Sequence, residues 1–143
     1  MEQTPATVTA VGPPDLDDVV ALYRAVGWST YADQPEMLKA AIAGSTRLVT
    51  AHRSGRLVGL VRVISDGATI CYLQDVLVHP DEQRRGTGRQ LVLAALEPYA
   101  SVRQKVLLTD DEPAQRAFYE SLGYTEVHEH ADGSLRAFVR FDA

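Results

Sequence analysis

Between Arg47 and Val78 three β-rich segments, Arg47–His52, Arg56–Ser65 and Ala68–Val78, are separated only by Ser54-Gly55 and Asp66-Gly67, both strong turn dipeptides. Connections this short make the segments antiparallel neighbours, because a parallel pair needs a crossover of about a dozen residues. After Pro80 the hydrophobic period changes. Gly88 through Leu96 places Leu91, Val92, Ala95 and Leu96 on one helical face, and Pro98 discourages continuation. An antiparallel meander that empties into a helix therefore forms the middle of the chain.

The flanks add helices and short strands. A strand is expected at Thr7–Val11, followed by a helix that Asp15 caps, with Leu16, Val19, Val20, Tyr23 and Val26 at near-helical spacing and Gly27 at its end. Pro35 suits the first turn of a second helix carrying Leu38, Ala41 and Ile42, stopped by Gly44. Val106–Thr109 reads as a short strand and Ala114–Leu122 as a helix ending at Gly123. Thr125–His130 and Leu135–Arg140 read as a hairpin across Asp132-Gly133. The order β-α-α-β-β-β-α-β-α-β-β predicts an α+β fold, a mixed and mostly antiparallel sheet with helices on both faces, in one domain over residues 1–143.

Composition narrows the function. One cysteine, Cys71, excludes an intrachain disulfide scaffold, and a lone thiol in an apolar strand is ordinarily packing. With 14 Lys and Arg against 19 Asp and Glu the formal charge is −5, which disfavours a broad nucleic-acid surface. No apolar run approaches the roughly 18 residues of a membrane helix and the first residues lack a signal-peptide pattern, so a cytoplasmic protein without a membrane partner is expected. His52, His79, His128 and His130 show no zinc-site spacing, and no metal is expected.

The segment from Tyr72 to Arg89, YLQDVLVHPDEQRRGTGR, carries the chemistry. A buried strand runs into a loop with two glycines and then a helix, so free N–H groups and the positive helix end converge where an anion can sit. Gly86 and Gly88 permit close approach, and Arg84, Arg85 and Arg89 can pair with phosphate oxygens. Three arginines at a helix N-terminus oppose the dipole unless an anion intervenes. A P-loop is excluded, since no G-x-x-x-x-G-K-S/T occurs. A dinucleotide fold has a candidate acid in Asp110, 22 residues after Gly88, yet Leu91 occupies the third glycine position and tight turns replace the crossover helices.

Val78 followed by Gln83-Arg84-Arg85-Gly86-Thr87-Gly88 resembles the Q/R-x-x-G-x-G/A acetyl-CoA signature of the GCN5-related N-acetyltransferases, the GNAT family. Ala114-Gln-Arg-Ala-Phe-Tyr-Glu-Ser-Leu-Gly-Tyr124 is similar to that family's second motif, A-x-x-F-Y-x-x-x-G-F. The resemblance implies acetyl-CoA as co-substrate and transfer of its acetyl group to a primary amine by direct attack in a ternary complex. The implied strand before the signature carries a bulge and splays from the next strand, here Tyr72–Val78 from Val106–Thr109, and pantetheine lies in the gap. Main-chain groups of Val76, Leu77 and Val78 would hold the pantetheine and acetyl carbonyl, and Gln83 through Arg89, Thr87 included, the pyrophosphate. Phe118 belongs to the second motif's side of the cofactor site, and Tyr119 matches the family's frequent general acid.

Other roles stay open. Asp75 is the nearest carboxylate for a general base, or equally a partner for a loop amide, and Tyr72 with Gln74 could instead order a water. Where many members carry Asn before the second motif this chain has Asp110-Asp111-Glu112-Pro113, so Asp110 either takes part of that contact or caps the next helix. Trp28 and Tyr31 lie in the segment that usually walls the acceptor pocket, where they enclose an amine-bearing substrate or cover the core. The resemblance also allows a homodimer through the C-terminal hairpin, and an inactive acyl-CoA-binding or partner-binding module of the same fold is the alternative to an enzyme.

Overall fold

Among the described residues, five strands form one sheet in the order β1-β2-β3-β4-β5. β1 (Thr7–Thr9), β2 (Arg47–Arg53), β3 (Arg56–Ser65) and β4 (Ile70–Val78) pair antiparallel in succession, and β5 (Gln104–Leu107) joins β4 in parallel. This is the mixed, mostly antiparallel sheet expected from the tight turns. The computed structural model describes residues 6–10 and 12–142, which divide into two compact units, one ending at Leu108 and one beginning at Thr109. Val11, expected to end the first strand, lies outside the described residues.

In the first unit helices cover both faces of the sheet. On one face, α1 (Leu16–Ala25) and α3 (Pro35–Ala43) bury Val19, Leu22, Tyr23 and Leu38 against Leu57, Leu60 and Leu77. α2 (Ser29–Ala32), a single turn not anticipated from the sequence, brings Ala32 to the same core. On the other face α4 (Thr87–Leu96) packs on β2 and β3, burying Leu91, Val92 and Ala95 beside Val61 and Val63. Gly59 permits this approach: a Cβ there would lie 2.6 Å from Leu91 Cδ1 and 3.2 Å from the Leu77 carbonyl oxygen.

Several boundaries move for local reasons. Asp15 occupies the N-cap of α1, but its carbonyl rather than its side chain accepts from the N–H groups of Asp18 and Val19. β4 starts at Ile70 rather than Ala68 because Asp66 Oδ1 accepts from the N–H groups of Ala68, Thr69 and Ile70, an Asx-type turn that consumes them. β5 spans 104–107 rather than 106–109, so it begins before Val106 and stops short of Thr109.

The second unit holds α5 (Pro113–Ser121) and a short 3₁₀ segment at Val127–Gly133. The hairpin expected at Thr125–His130 and Leu135–Arg140 does not form. Ala131, Asp132 and Gly133 all have positive φ, where a two-residue hairpin turn takes two such residues, and Ser134 N–H turns back onto the carbonyls of His130 and Ala131. Residues 134–142 are exposed throughout, and a two-stranded ribbon with no buried face is marginal in water.

The close packing at Gly59 is testable. Gly59→Val should destabilise the protein by about 1–3 kcal/mol through overpacking against Leu91 and the β4 backbone, read as a lower urea midpoint with an unchanged m-value.

Candidate active site

The site begins with one extra residue. Arg62 of β3 stands opposite Asp75 and Val63 opposite Leu73, leaving Gln74 as a bulge in β4. Pairing of β4 with β5 covers only Ile70–Leu73 against Gln104–Leu107, so from Gln74 to Val78 β4 has no strand on its far side among the described residues. His79 N–H donates to the Val58 carbonyl across the β3 side. Alternation along an antiparallel ladder then turns the peptide groups of Val76 and Val78 away from β3, into the open seam. Consistent with this, the Val78 carbonyl accepts from Gln83 Nε2 at 3.3 Å instead of from β3. The bulge and splay implied by the family resemblance are both present in β4, against a β5 displaced by two residues.

Beyond Val78 the chain makes a 3₁₀ turn at Pro80–Glu82 and enters α4 at Gly86, whose φ of +81° suits glycine. Arg84 is also left-handed, with φ +66°. Gln90 N–H makes the first helical bond, to the Gly86 carbonyl, so the N–H groups of Thr87, Gly88 and Arg89 precede the helical ladder. Gln83, Arg84, Arg85 and Arg89 are exposed around this helix end, while Thr87 is buried. The N–H groups and guanidinium-bearing residues expected to receive phosphate therefore share one loop.

Asp75 lies on the face opposite Val76 and Val78, buried with 7% of its side chain exposed. Its Oδ2 accepts from the Tyr23 hydroxyl at 2.5 Å and from Arg62 Nε at 2.8 Å. Arg62 Nη1 donates onward to the Ala41 carbonyl and Ser45 Oγ. This network ties α1, α3, β3 and β4 together at the bulge, and sequence reasoning missed it because Arg62 reads as one charge in an apolar strand. Burial first, then the Asp75 charge, pushes the Tyr23 hydroxyl far above the ordinary tyrosine range, so it stays a proton donor. Burial and the Asp75 charge likewise raise Tyr72. Trp28 and Tyr31 reach this region through Tyr23, their ring centroids 5.9 and 6.2 Å from its own. Tyr31 stays 38% exposed and Trp28 half-buried against the core.

A second buried carboxylate also escaped the sequence reading. Glu82 is 2% exposed, accepts a two-pronged bond from Arg53 (Nε 2.8 Å, Nη2 2.7 Å), and accepts from Thr87 Oγ1 at 3.0 Å. The Arg53 bonds lead in holding its carboxyl below the usual range, against the opposing effect of burial. Cys71 is fully buried and burial raises its thiol, which fits packing.

The remaining candidates belong to the second unit. Tyr119 lies on α5, buried, with Phe118 and Tyr124 edge-on at ring-centroid distances of 5.0 and 6.0 Å. Burial pushes its hydroxyl up to about 12. Asp110 is exposed; its carbonyl accepts from Glu112 N–H, and Glu112 takes the N-cap of α5 with no side-chain cap bond. Glu126, His128 and Glu129 bring ligand atoms within 4.8 Å of one another, but all three are exposed and Arg116 already bonds both carboxylates.

Residues 18–137 match the family model for the acetyltransferase (GNAT) domain. The chain belongs to the GNAT acetyltransferase family. It is 31% identical to a mycothiol acetyltransferase of Kineococcus radiotolerans over 140 residues, covering 90% of this chain and 46% of that protein. The chain thus spans under half the length of this curated relative, as it does of another from Gibberella zeae, at 41%. Among solved structures it resembles a GNAT-family acetyltransferase of Streptococcus pneumoniae, with TM-score 0.83, 28% identity and coverage of 96% of this chain and 98% of that one. The fold is also that of the aminoglycoside acetyltransferase AAC(6')-Iy, solved with a CoA-linked bisubstrate analogue, with TM-score 0.71, 15% identity and coverage of 98% and 100%.

Two measurements check the buried networks. Arg62→Met should destabilise the protein by about 3–5 kcal/mol, because it leaves Asp75 buried without its cation, and Tyr23→Phe by about 1–3 kcal/mol; chemical denaturation reads both. Glu82 has a depressed folded value, so its contribution is complete above the ordinary Glu value of about 4.3 and declines as pH falls toward the folded value. The stability gap between wild type and Glu82→Gln should accordingly be constant near neutrality and narrow below about pH 4 in pH-dependent urea unfolding.

Proposed function

We propose that the protein is an acetyl-CoA-dependent N-acetyltransferase acting on a primary amine. The observation that carries this reading is the run of β4 from Gln74 to Val78 that, among the described residues, has no strand on its β5 side, followed through the 3₁₀ turn by a helix N-terminus rimmed by Arg84, Arg85 and Arg89. An extended pantetheine arm can pair with the outward peptide groups of Val76 and Val78, which flank Leu77, as an added strand would. The loop N–H groups from Arg84 to Arg89, through Gly86, Thr87 and Gly88, supply the pyrophosphate with donors that no side chain needs to provide.

The Val76 N–H, directed into the seam, would polarise the thioester carbonyl. The neutral amine nitrogen attacks the carbonyl carbon, the C–S bond breaks, the amine's surplus proton passes to water, and the departing thiolate, hydrogen-bonded by the Tyr119 hydroxyl, takes its proton from water. With the tyrosine at about 12 and a thiol at about 8.5, complete transfer is uphill by about 5 kcal/mol, so Tyr119 serves as a hydrogen-bond donor that shares its proton while the bond breaks. Asp75, held by Tyr23 and Arg62, shapes the bulge; taking a proton there would break a buried ion pair. Trp28 and Tyr31 supply an aromatic wall for the acceptor. Phe118 supports Tyr119 edge-on, and Asp110 offers a polar group where relatives of the resembled pattern carry Asn.

Tyr119→Phe should lower turnover by about 10²-fold or more while coenzyme A affinity stays within about twofold, measured by steady-state kinetics and calorimetry. Gly86→Val forces a β-branched side chain into a left-handed backbone and should abolish coenzyme A binding in the same calorimeter. Tight coenzyme A binding without acetyl transfer to any member of an amine panel would make the protein an acyl-CoA-binding module instead.

A further inference from the structure

A buried carboxylate beside a phosphate-binding loop is electrostatically adverse unless it serves the loop's shape. Glu82 immediately precedes the exposed residues Gln83 to Gly86, and Thr87 immediately follows them. The bond from Thr87 Oγ1 to Glu82 Oε1, 3.0 Å, therefore closes this loop into a ring through side chains. The same carboxylate takes the two-pronged bond of Arg53, the last residue of β2, which fixes the ring to the sheet. Arg85 Nη1 stands 3.7 Å from Glu82 Oε2, drawn to the same anchor. Within the ring, Arg84 and Gly86 both hold left-handed backbone. A non-glycine residue in that region persists only where its surroundings over-determine it, and the closed ring does so.

Resting on the acetyl-CoA reading, we propose that Glu82 is a positioning residue for the donor: by clamping Arg53 and Thr87 it holds the backbone of residues 83–86 in the shape that receives the donor's pyrophosphate. The effect is transmitted through main-chain N–H directions, so it concerns the phosphate-bearing part of the donor and not its pantetheine arm, which lies along β4.

The test uses the full chain with two probes, coenzyme A by calorimetry and pantetheine, which lacks the pyrophosphate, by NMR titration. Glu82→Gln and Thr87→Val should each weaken coenzyme A binding about tenfold or more, and leave pantetheine binding within about twofold. Thr87→Ser, which keeps the hydroxyl, should restore wild-type affinity. Equal losses for both probes, or unchanged coenzyme A binding in both variants, would overturn the proposal. Should Glu82→Gln fail to fold, the near-isosteric Thr87→Val and its serine counterpart decide the matter alone. Wild-type protein that binds no coenzyme A would instead overturn the acetyl-CoA reading itself, which separates the two failures.

Discussion

An extra residue in β4 changes what the peptide groups after it face. Gln74 has no opposite number on β3, and past it the ladder with β3 resumes while the ladder with β5 has already ended at Leu73 and Leu107. Backbone N–H and C=O groups in a sheet interior ordinarily find partners in the neighbouring strand, whereas along Val76 and Val78 no strand lies on the far side among the described residues, which leaves those groups free of the sheet's own ladder. The bulge itself is held by Asp75, Arg62 and Tyr23, an ion pair and a neutral hydroxyl placed within the apolar layer between the sheet and α1 and α3. Burying such groups is costly unless each is bonded, and here the carboxylate meets a cation and a hydroxyl while the guanidinium reaches the end of α3 through Ala41 and Ser45.

The same logic recurs at the loop. The chain carries net negative charge, yet it gathers three arginines around one helix N-terminus and buries one glutamate beside them. The exposed cations and the uncommitted first-turn N–H groups set the sign of the site, and the buried Glu82 with its Arg53 fork and Thr87 bond sets its shape. Electrostatic attraction and backbone geometry are thus carried by different residues of one short segment.

Much of this was legible in residue order. Gly86-Thr87-Gly88 after an apolar strand and before a helical period marked the loop that opens α4, and Ser54-Gly55 and Asp66-Gly67 dictated the meander, since both are local signals that act over a few residues. Arg62, Tyr23, Arg53 and Glu82 were not legible as partners. The residues of each pair or triad lie 13, 52 or 29 positions apart, and the register that brings them together depends on strand pairing. The C-terminal hairpin was misread for the complementary reason: alternating apolar residues from Leu135 to Phe141 look like a strand, but Phe138 and Phe141 remain 89% and 87% exposed, and alternation supports a strand only when one face is buried.

By itself the sequence determined the local grammar of this protein: where turns fall, where the period changes, which loop offers glycines and arginines to an anion, and which family the two motifs resemble. These follow from conformational preferences and charges that each residue carries with it. Only the tertiary structure decided that Gln74 is the bulged residue, that β5 stops beside Leu73, and that two carboxylates are buried as anchors. Those outcomes depend on which strands pair and in what register, a choice set by competition among long-range contacts that no single segment encodes.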